Sequence, residues 1–561
     1  MKVLIIGGVA GGATAAARIR RLDEEAEIVV IEKSGFISYA NCGLPYYVGG
    51  VIDSDESLLL QSPEGFYERY RIDARVNSEA VEIDTFNKQV KIKNLLTNEI
   101  YFESYDKLLL STGAKPVTPE WAGKSDKVFT LRTVEDALSI RSCIEEERPQ
   151  SAVIVGGGFI GLEMAENLVH RGVDTTVVEY AEHLLANFDL DMACVVHGAL
   201  KKKGVKLRLN SKVEKISERQ GRPEVFISGA EAVCADIVIL SIGVAPDTTL
   251  SKSAGIELSD KGAIVVNERM ETSKKDVYAV GDSVLIKHFV TGKPAYVPLA
   301  GPANRQARVA ADNICGLSSQ YKGAQGTSVV KLFDMTAAST GLNEKAAKLA
   351  GINYEKIIIS PPNHATYYPG ARIMLIKLLY EKATQKIIGA QIAGYEGVDK
   401  RIDVLSTAMR AGMKAAELKD LDLAYAPPFS SAKDPINILG YIADNIERGL
   451  VKQAHFEDLE KLNQCEVTLL DTRTKGEYSR GTVEGFINIP VDSLRERIYE
   501  LDGSKPVYVL CQSALRSYLA CRILAQYGYE CYNLSGGYRF YEIVKTEKAV
   551  AGAYPCGKNK D

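Results

Sequence analysis

The sequence predicts an α/β chain: two similar parallel-sheet units and a further α/β unit at the C-terminus. Two observations carry this. A strand, a glycine turn, a helix and a second strand follow one another at the N-terminus, and the same order returns from residue 152. After a polar stretch at 446–460 the strand pattern starts again and runs over 461–550. A chain of 561 residues has room for several domains. Its 46% hydrophobic and 25% charged content is that of an ordinary globular protein. A net charge of -4 gives no electrostatic reason to expect a nucleic-acid partner.

In the first unit Val3 to Ile6 reads as a strand, Gly7-Gly8-Val9-Ala10-Gly11-Gly12 as the turn, and the alanine-rich stretch 13–22 as the helix. The second strand, 27–31, ends on Glu32. This order resembles a Rossmann nucleotide-binding unit. Gly7, Gly8, Ala10 and Gly11 let backbone approach a pyrophosphate, and the helix N-terminus stabilises its charge. Glu32 lies twenty residues after Gly12, where a carboxylate accepts ribose hydroxyls. Val9 replaces the middle glycine of the GxGxxG pattern. In the second unit Ala152 to Val155 is the strand, Gly156-Gly157-Gly158-Phe159-Ile160-Gly161 satisfies the pattern in full, and the strand 175–178 ends on Glu179. Two such turns imply two dinucleotides. Glu179 repels a 2′-phosphate and no arginine follows closely, which favours NADH and leaves NADPH open.

Thr112-Gly113 follows the apolar strand 107–110, and Gly281-Asp282 ends another strand. With these the chain resembles the flavoproteins with two dinucleotide-binding domains, in which the Gly-Asp aspartate holds the ribityl chain of FAD. The resemblance implies an FAD-binding domain over 1–113 and 245–320 and an NAD(P)H-binding domain over 114–244. It also implies an α+β dimerisation domain over 325–445, which a linker over 446–460 follows. It assigns Lys33, Thr112, Gly113, Asp282, Pro298 and Ala300 to the cofactors alongside the turns.

The C-terminal unit holds Leu469-Leu470-Asp471-Thr472-Arg473, Gly481 to Gly485, Ile487 to Pro490 and Gly536-Gly537-Tyr538, and resembles a rhodanese domain over 461–550. Thr482 stands where that family more often has histidine. Cys511-Gln512-Ser513-Ala514-Leu515-Arg516 lies between a strand and a helix, so backbone N–H groups and a helix N-terminus point at the cysteine sulfur. A thiolate or persulfide is stabilised there, and Arg516 closes the cradle. A phosphatase loop of the CxxxxxR type needs one more residue, so the loop length favours sulfur transfer.

The ten cysteines are scattered, with no CxxC pair, which argues against a zinc ribbon or dithiol motif. No basic segment precedes a removable apolar one at the N-terminus, and no apolar run is long enough to span a membrane, so the expectation is an untargeted cytoplasmic protein and no disulfide framework. Cys42 lies in Ser38-Tyr39-Ala40-Asn41-Cys42-Gly43-Leu44-Pro45-Tyr46, and the next cysteine is Cys143. A lone redox thiol needs another sulfur or an oxygen for its second state: a mixed disulfide, a persulfide or a sulfenic acid. The SxxNCGLPY stretch resembles coenzyme A disulfide reductases and the related persulfide reductases. In those enzymes the cysteine faces the flavin and forms a mixed disulfide with CoA.

That resemblance places CoA against Thr14, Arg18, Arg21, Ser38 and Asn41, and less strongly Arg71, with Asn304 and Lys433. Thr14, Arg18 and Arg21 share one helix face, and arginine forks suit phosphate. Tyr367 and Tyr425 match two tyrosines that the partner subunit sets beside the sulfur, with Tyr368 also open for the role. A phenol there can protonate the leaving CoA sulfur. An active site shared in this way requires at least a homodimer. The expected activity is NADH-dependent, FAD-mediated reduction of CoA disulfide, CoA persulfide or polysulfide at Cys42, with sulfur transfer at Cys511. The alternatives are an NADH oxidase or peroxidase cycling Cys42 through sulfenic acid, and a sulfur-carrier or redox-sensing protein. No metal site is expected.

Overall fold

The computed structural model describes residues 1–552; Cys556 lies outside them. The chain divides into two compact units, Met1–Ala181 with Gly204–Gly326, and Glu182–Lys203 with the chain from Thr327 onward. No helix among the described residues is long and apolar enough to cross a membrane.

The first unit holds two parallel five-stranded sheets. One runs Val277–Ala279, Lys107–Leu110, Lys2–Ile6, Glu27–Ile31, Ile72–Arg75. The other runs Lys206–Arg208, Asp174–Val178, Ser151–Val155, Ile237–Leu240, Val128–Thr130. Their central strands are apolar without alternation and buried along nearly their whole length, as parallel strands covered on both faces must be. The helix Ala10–Leu22 presents Ala13, Ala15, Ala16 and Ile19 inward and packs against the helix Ala300–Ile314, which its small side chains allow to come close. The antiparallel pair Ala114–Pro116 and Val244–Pro246 marks where the chain leaves the first sheet and returns.

The second unit has an antiparallel sheet ordered Ser328–Leu332, Met335–Gly341, Ile387–Gly394, Leu375–Glu381, Tyr354–Ile359. It also has a parallel sheet ordered Lys452–Ala454, Cys531–Leu534, Val507–Leu510, Thr468–Asp471, Ile487–Asn488. The two are joined at the edge strand Tyr354–Ile359. Gly536 N donates to Ile358 O at 3.0 Å, Ile358 N donates to Ser535 Oγ at 3.0 Å, and Lys356 binds Glu457.

Two expectations are corrected. The stretch 446–460 is not only a linker, because Lys452–Ala454 is the edge strand of the C-terminal sheet. A three-residue strand reading Lys-Gln-Ala carries no apolar alternation to betray it. The segment 182–203, expected inside one domain over 114–244, belongs with the second unit. Part of its tie is ionic: fully buried Lys377 binds Asp189 at 2.9 Å, Asp191 at 2.8 Å, and Glu344. These three carboxylates cluster as metal ligands would, and the lysine ammonium is the cation among them.

Candidate active site

The two glycine turns are alike residue by residue. Gly7 N donates to Ile31 O at 2.8 Å and Gly156 N to Val178 O at 2.9 Å. Both have positive φ, and a Cβ on either would strike the next strand's carbonyl, Ser111 O at 2.2 Å or Ser241 O at 2.3 Å. Gly8 N donates to Glu32 at 2.7 Å and Gly157 N to Glu179 at 2.6 Å. Val9 and Gly158 are then the equivalent residues preceding the two helices, and neither helix start is capped by a side chain. The N–H groups there stay available to an anion. A Cβ on Gly158 would meet nothing within 4 Å, so this glycine answers to open space above the turn. Phe159, Ile160 and Gly161 open the helix Phe159–His170. Burial pushes the Glu32 carboxyl up, against the pull of its backbone donors.

Other expected cofactor residues are placed as follows. Thr112 Oγ1 donates to Asp247 O at 2.6 Å, and Gly113 takes positive φ. Lys33 pairs with Glu79 at 2.7 Å on the surface. Pro298 is half-buried just before Ala300, the exposed first residue of its helix. Asp282 is paired with Arg132 at 2.8 Å, a residue the motifs did not suggest. Arg132 is set by the helix Val134–Glu147, whose Thr133–Asp136 capping box also takes the Arg132 N–H at 2.7 Å.

Cys42 sits in the turn Asn41–Gly43 that leads into Leu44–Val48, where Pro45 favours the helix start. The residue is exposed and the thiol free. The surrounding chain nonetheless desolvates the sulfur and, with Glu163 and Asp282, pushes the thiol up; Arg132 opposes them. A positive neighbourhood for the thiolate is therefore not what the fold provides. Tyr46 Oη donates to Glu163 Oε1 at 3.3 Å.

Of the expected CoA residues, Thr14 and Asn304 are brought together, with Thr14 Oγ1 donating to Asn304 Oδ1 at 2.6 Å. Ser38 has positive φ, and its N–H donates to Gly8 O at 2.9 Å, which ties the Cys42 loop to the first turn. Arg21 is exposed. Arg18 is paired through its Nε with Asp312 at 2.9 Å. Arg71 lies over the Tyr67 ring at 5.3 Å, and its carbonyl is one of five that buried Arg20 binds.

In the second unit the Tyr367 and Tyr425 hydroxyls are hydrogen-bonded at 2.6 Å although the residues lie 58 apart in sequence. Both are exposed. Tyr368 turns away, edge-on to His364 at 5.7 Å between ring centres. Tyr425 also lines a cavity of about 410 Å³ with Lys400, Arg401 and Phe429. Arg401 is buried and pairs with Asp434 at 3.0 Å, next to exposed Lys433.

Cys511 ends the strand Val507–Leu510 and is fully buried. Ser517, which the motif reading missed, donates from Oγ to Cys511 Sγ at 3.3 Å. Ala514 takes positive φ so that the loop can turn into the helix Leu515–Gln526. Arg516 forks onto Glu477 with two bonds of 2.7 Å, which brings that carboxyl down to about 2. Its charge is thus already matched. Thr482 Oγ1 donates to Asp471 at 2.8 Å, beside the buried Asp471–Arg473 pair. Cys531 Sγ bonds Cys521 O at 3.3 Å inside the core, in keeping with a packing role for both.

Comparison with known proteins agrees with this architecture. Family models match for a pyridine nucleotide-disulphide oxidoreductase over residues 1–307, its dimerisation domain over 327–435, and a rhodanese-like domain over 456–542. A coenzyme A disulfide reductase of Staphylococcus epidermidis is 39% identical over 443 residues, 79% of this chain and 99% of the relative. The crystal structure of reduced Bacillus anthracis CoADR-RHD is 45% identical with a TM-score of 0.95, covering 97% of this chain and 98% of its own. A NAD-dependent persulfide reductase from A. fulgidus is 38% identical with a TM-score of 0.90, covering 96% and 100%. The fold class and family resemblance read from the motifs are both borne out, and the chain belongs to the pyridine nucleotide-disulphide oxidoreductase family, with a rhodanese-like domain at its C-terminal end.

Proposed function

We propose that this flavoprotein uses NADH to reduce CoA disulfide, CoA persulfide or a related sulfane sulfur through a mixed disulfide or persulfide on Cys42, with Cys511 as a second, sulfur-transferring site. The observation that carries the reading is the exposed, hydrogen-bonded pair Tyr367–Tyr425. One phenol donating to the other leaves the acceptor's own proton free to be given to a leaving sulfur. No second cysteine near Cys42 in sequence offers an internal disulfide, so the partner sulfur comes from the substrate.

The first turn, with Gly7, Gly8, Ala10, Gly11 and Glu32, suits the FAD pyrophosphate and ribose. Lys33, Thr112, Gly113, Asp282, Pro298 and Ala300 complete that set. The second turn, with Gly156, Gly158, Phe159, Ile160, Gly161 and Glu179, suits NADH; the open space above Gly158 supports a close backbone approach by its pyrophosphate. Bound FAD supplies a two-electron path from nicotinamide to sulfur. Glu179 disfavours a 2′-phosphate by charge. Thr14, Arg18, Arg21, Ser38, Asn41, Arg71, Asn304 and Lys433 form the proposed CoA set. Within it Arg18 acts as half of an ion pair and Arg21 as the freer cation. In this reading the enzyme is a homodimer with its active site shared between subunits, in the cytoplasm.

The test is NADH oxidation by the purified enzyme with CoA disulfide, CoA persulfide, hydrogen peroxide and oxygen as acceptors. The CoA acceptors turn over fastest. Best turnover with peroxide or oxygen overturns the proposal in favour of an oxidase or peroxidase.

A further inference from the structure

The helix Leu44–Val48, directly after Cys42, packs against the helix Phe159–His170 of the second glycine turn. The approach is close: a Cβ on Gly49 would lie 1.9 Å from Asn167 Oδ1. Cys42 and Tyr46 are four residues apart, a spacing that puts them on one face of a helical turn. Tyr46 reaches across to Glu163 at 3.3 Å. Glu163 is a half-buried carboxyl among buried Leu162, Met164 and Ala165, and it forms no ion pair among the described residues.

The charged groups facing Cys42 are Glu163, Asp282 and Arg132. Arg132 and Asp282 bind each other at 2.8 Å and largely cancel. Glu163 is left as the uncompensated neighbour. Tyr46 and Glu166 face Glu163 in turn, and Tyr46 is faced by Glu163, Glu166 and Cys42.

We propose that Glu163, held by Tyr46, is a positioning residue that shares one negative charge with Cys42, so that thiolate and carboxylate exclude one another and the pair titrates as a unit. Two like charges in a poorly solvated pocket disfavour joint ionisation. Burial and Glu166 push the Glu163 carboxyl up to about 7, against the Tyr46 hydrogen bond, which lowers it. The inference rests on the reading of Cys42 as the redox cysteine. Two electrons from a reduced nicotinamide break the bond between Cys42 and the substrate sulfur and leave two thiolates. A protonated Glu163 tolerates the thiolate on Cys42. An ionised Glu163 drives it to take a proton from water, which regenerates the thiol.

The test is the pH dependence of Cys42 alkylation in the flavin-loaded enzyme, reduced and freed of small thiols. Iodoacetamide is the probe, and the Cys42 peptide is followed by mass spectrometry from pH 6 to 10. Glu163→Gln moves the curve to lower pH, with alkylation at pH 8 faster on the order of tenfold. Tyr46→Phe moves it the same way by less, because Glu163 loses the bond that favours its ionised form. Glu163→Asp, which keeps the charge, keeps a curve near the parent's. An unchanged curve in Glu163→Gln, or a shift to higher pH, overturns the proposal. If Glu163→Gln shifts the curve while Cys42→Ser still reduces CoA disulfide, the charge sharing stands and the redox role of Cys42 falls.

Discussion

At the scale of single residues, the arginines show how far type and spacing carry. Arg18, Arg20 and Arg21 follow one another on the first helix. Arg18 is taken by Asp312, Arg20 is spent on five backbone carbonyls, and Arg21 is exposed. Helical spacing separated Arg20 from the other two, but nothing in the sequence could reveal Asp312 as the partner of Arg18 across a separation of 294 residues. The tyrosines are the opposite case, since a motif resemblance paired Tyr367 with Tyr425 and their hydroxyls touch. If the pair protonates the leaving sulfur, Tyr367→Phe and Tyr425→Phe each lower turnover with CoA disulfide by about 10²- to 10⁴-fold, while Tyr368→Phe leaves it near the parent's. Steady-state NADH oxidation measures this, and equal effects of all three substitutions would count against a specific role for the pair.

Elements are held by contacts of a kind that periodicity does not report. The helix Leu190–Lys202 is joined to the antiparallel sheet through Lys377, a lysine at zero exposure surrounded by Asp189, Asp191 and Glu344. Removing the cation from the middle of such a cluster leaves Asp189 and Asp191 without their buried lysine, so Lys377→Ala costs about 3–5 kcal/mol, read as a loss of urea midpoint. The neighbouring lysines hold the Glu344 carboxyl down to about 2 despite its burial. A depressed carboxyl contributes stability that is complete above its ordinary titration range and fades as pH falls toward about 2. Glu344→Gln therefore flattens the acid limb of a stability-against-pH curve, and an acid limb identical to the parent's would exclude this cluster as its source.

For the whole molecule, the two cysteines of the proposed function lie in different units, Cys42 in the first and Cys511 in the second. They also differ in environment. Cys42 is exposed and carries a raised thiol, whereas Cys511 is buried under a hydrogen bond from Ser517, in a loop whose arginine is already neutralised. The proposed function gives them separate jobs. Cys42→Ser abolishes CoA-disulfide reduction while flavin absorbance is retained. Cys511→Ser leaves that activity nearly intact and impairs turnover with sulfane-sulfur donors. Parallel losses in both variants on CoA disulfide would refute the two-site picture.

The amino-acid sequence by itself determined the fold class, both glycine turns, the lone cysteine and the CxxxxR loop. Each is a local pattern whose chemistry depends on neighbours a few residues away. Only the tertiary structure decided that Arg132 binds Asp282, that Tyr46, four residues after Cys42, bonds Glu163, and that Lys452–Ala454 is a strand of the C-terminal sheet. The reason is the same throughout. A carboxylate on an apolar helix such as Glu163 is visible in the sequence as an oddity, but what it does depends on a partner brought to it by packing from more than a hundred residues away.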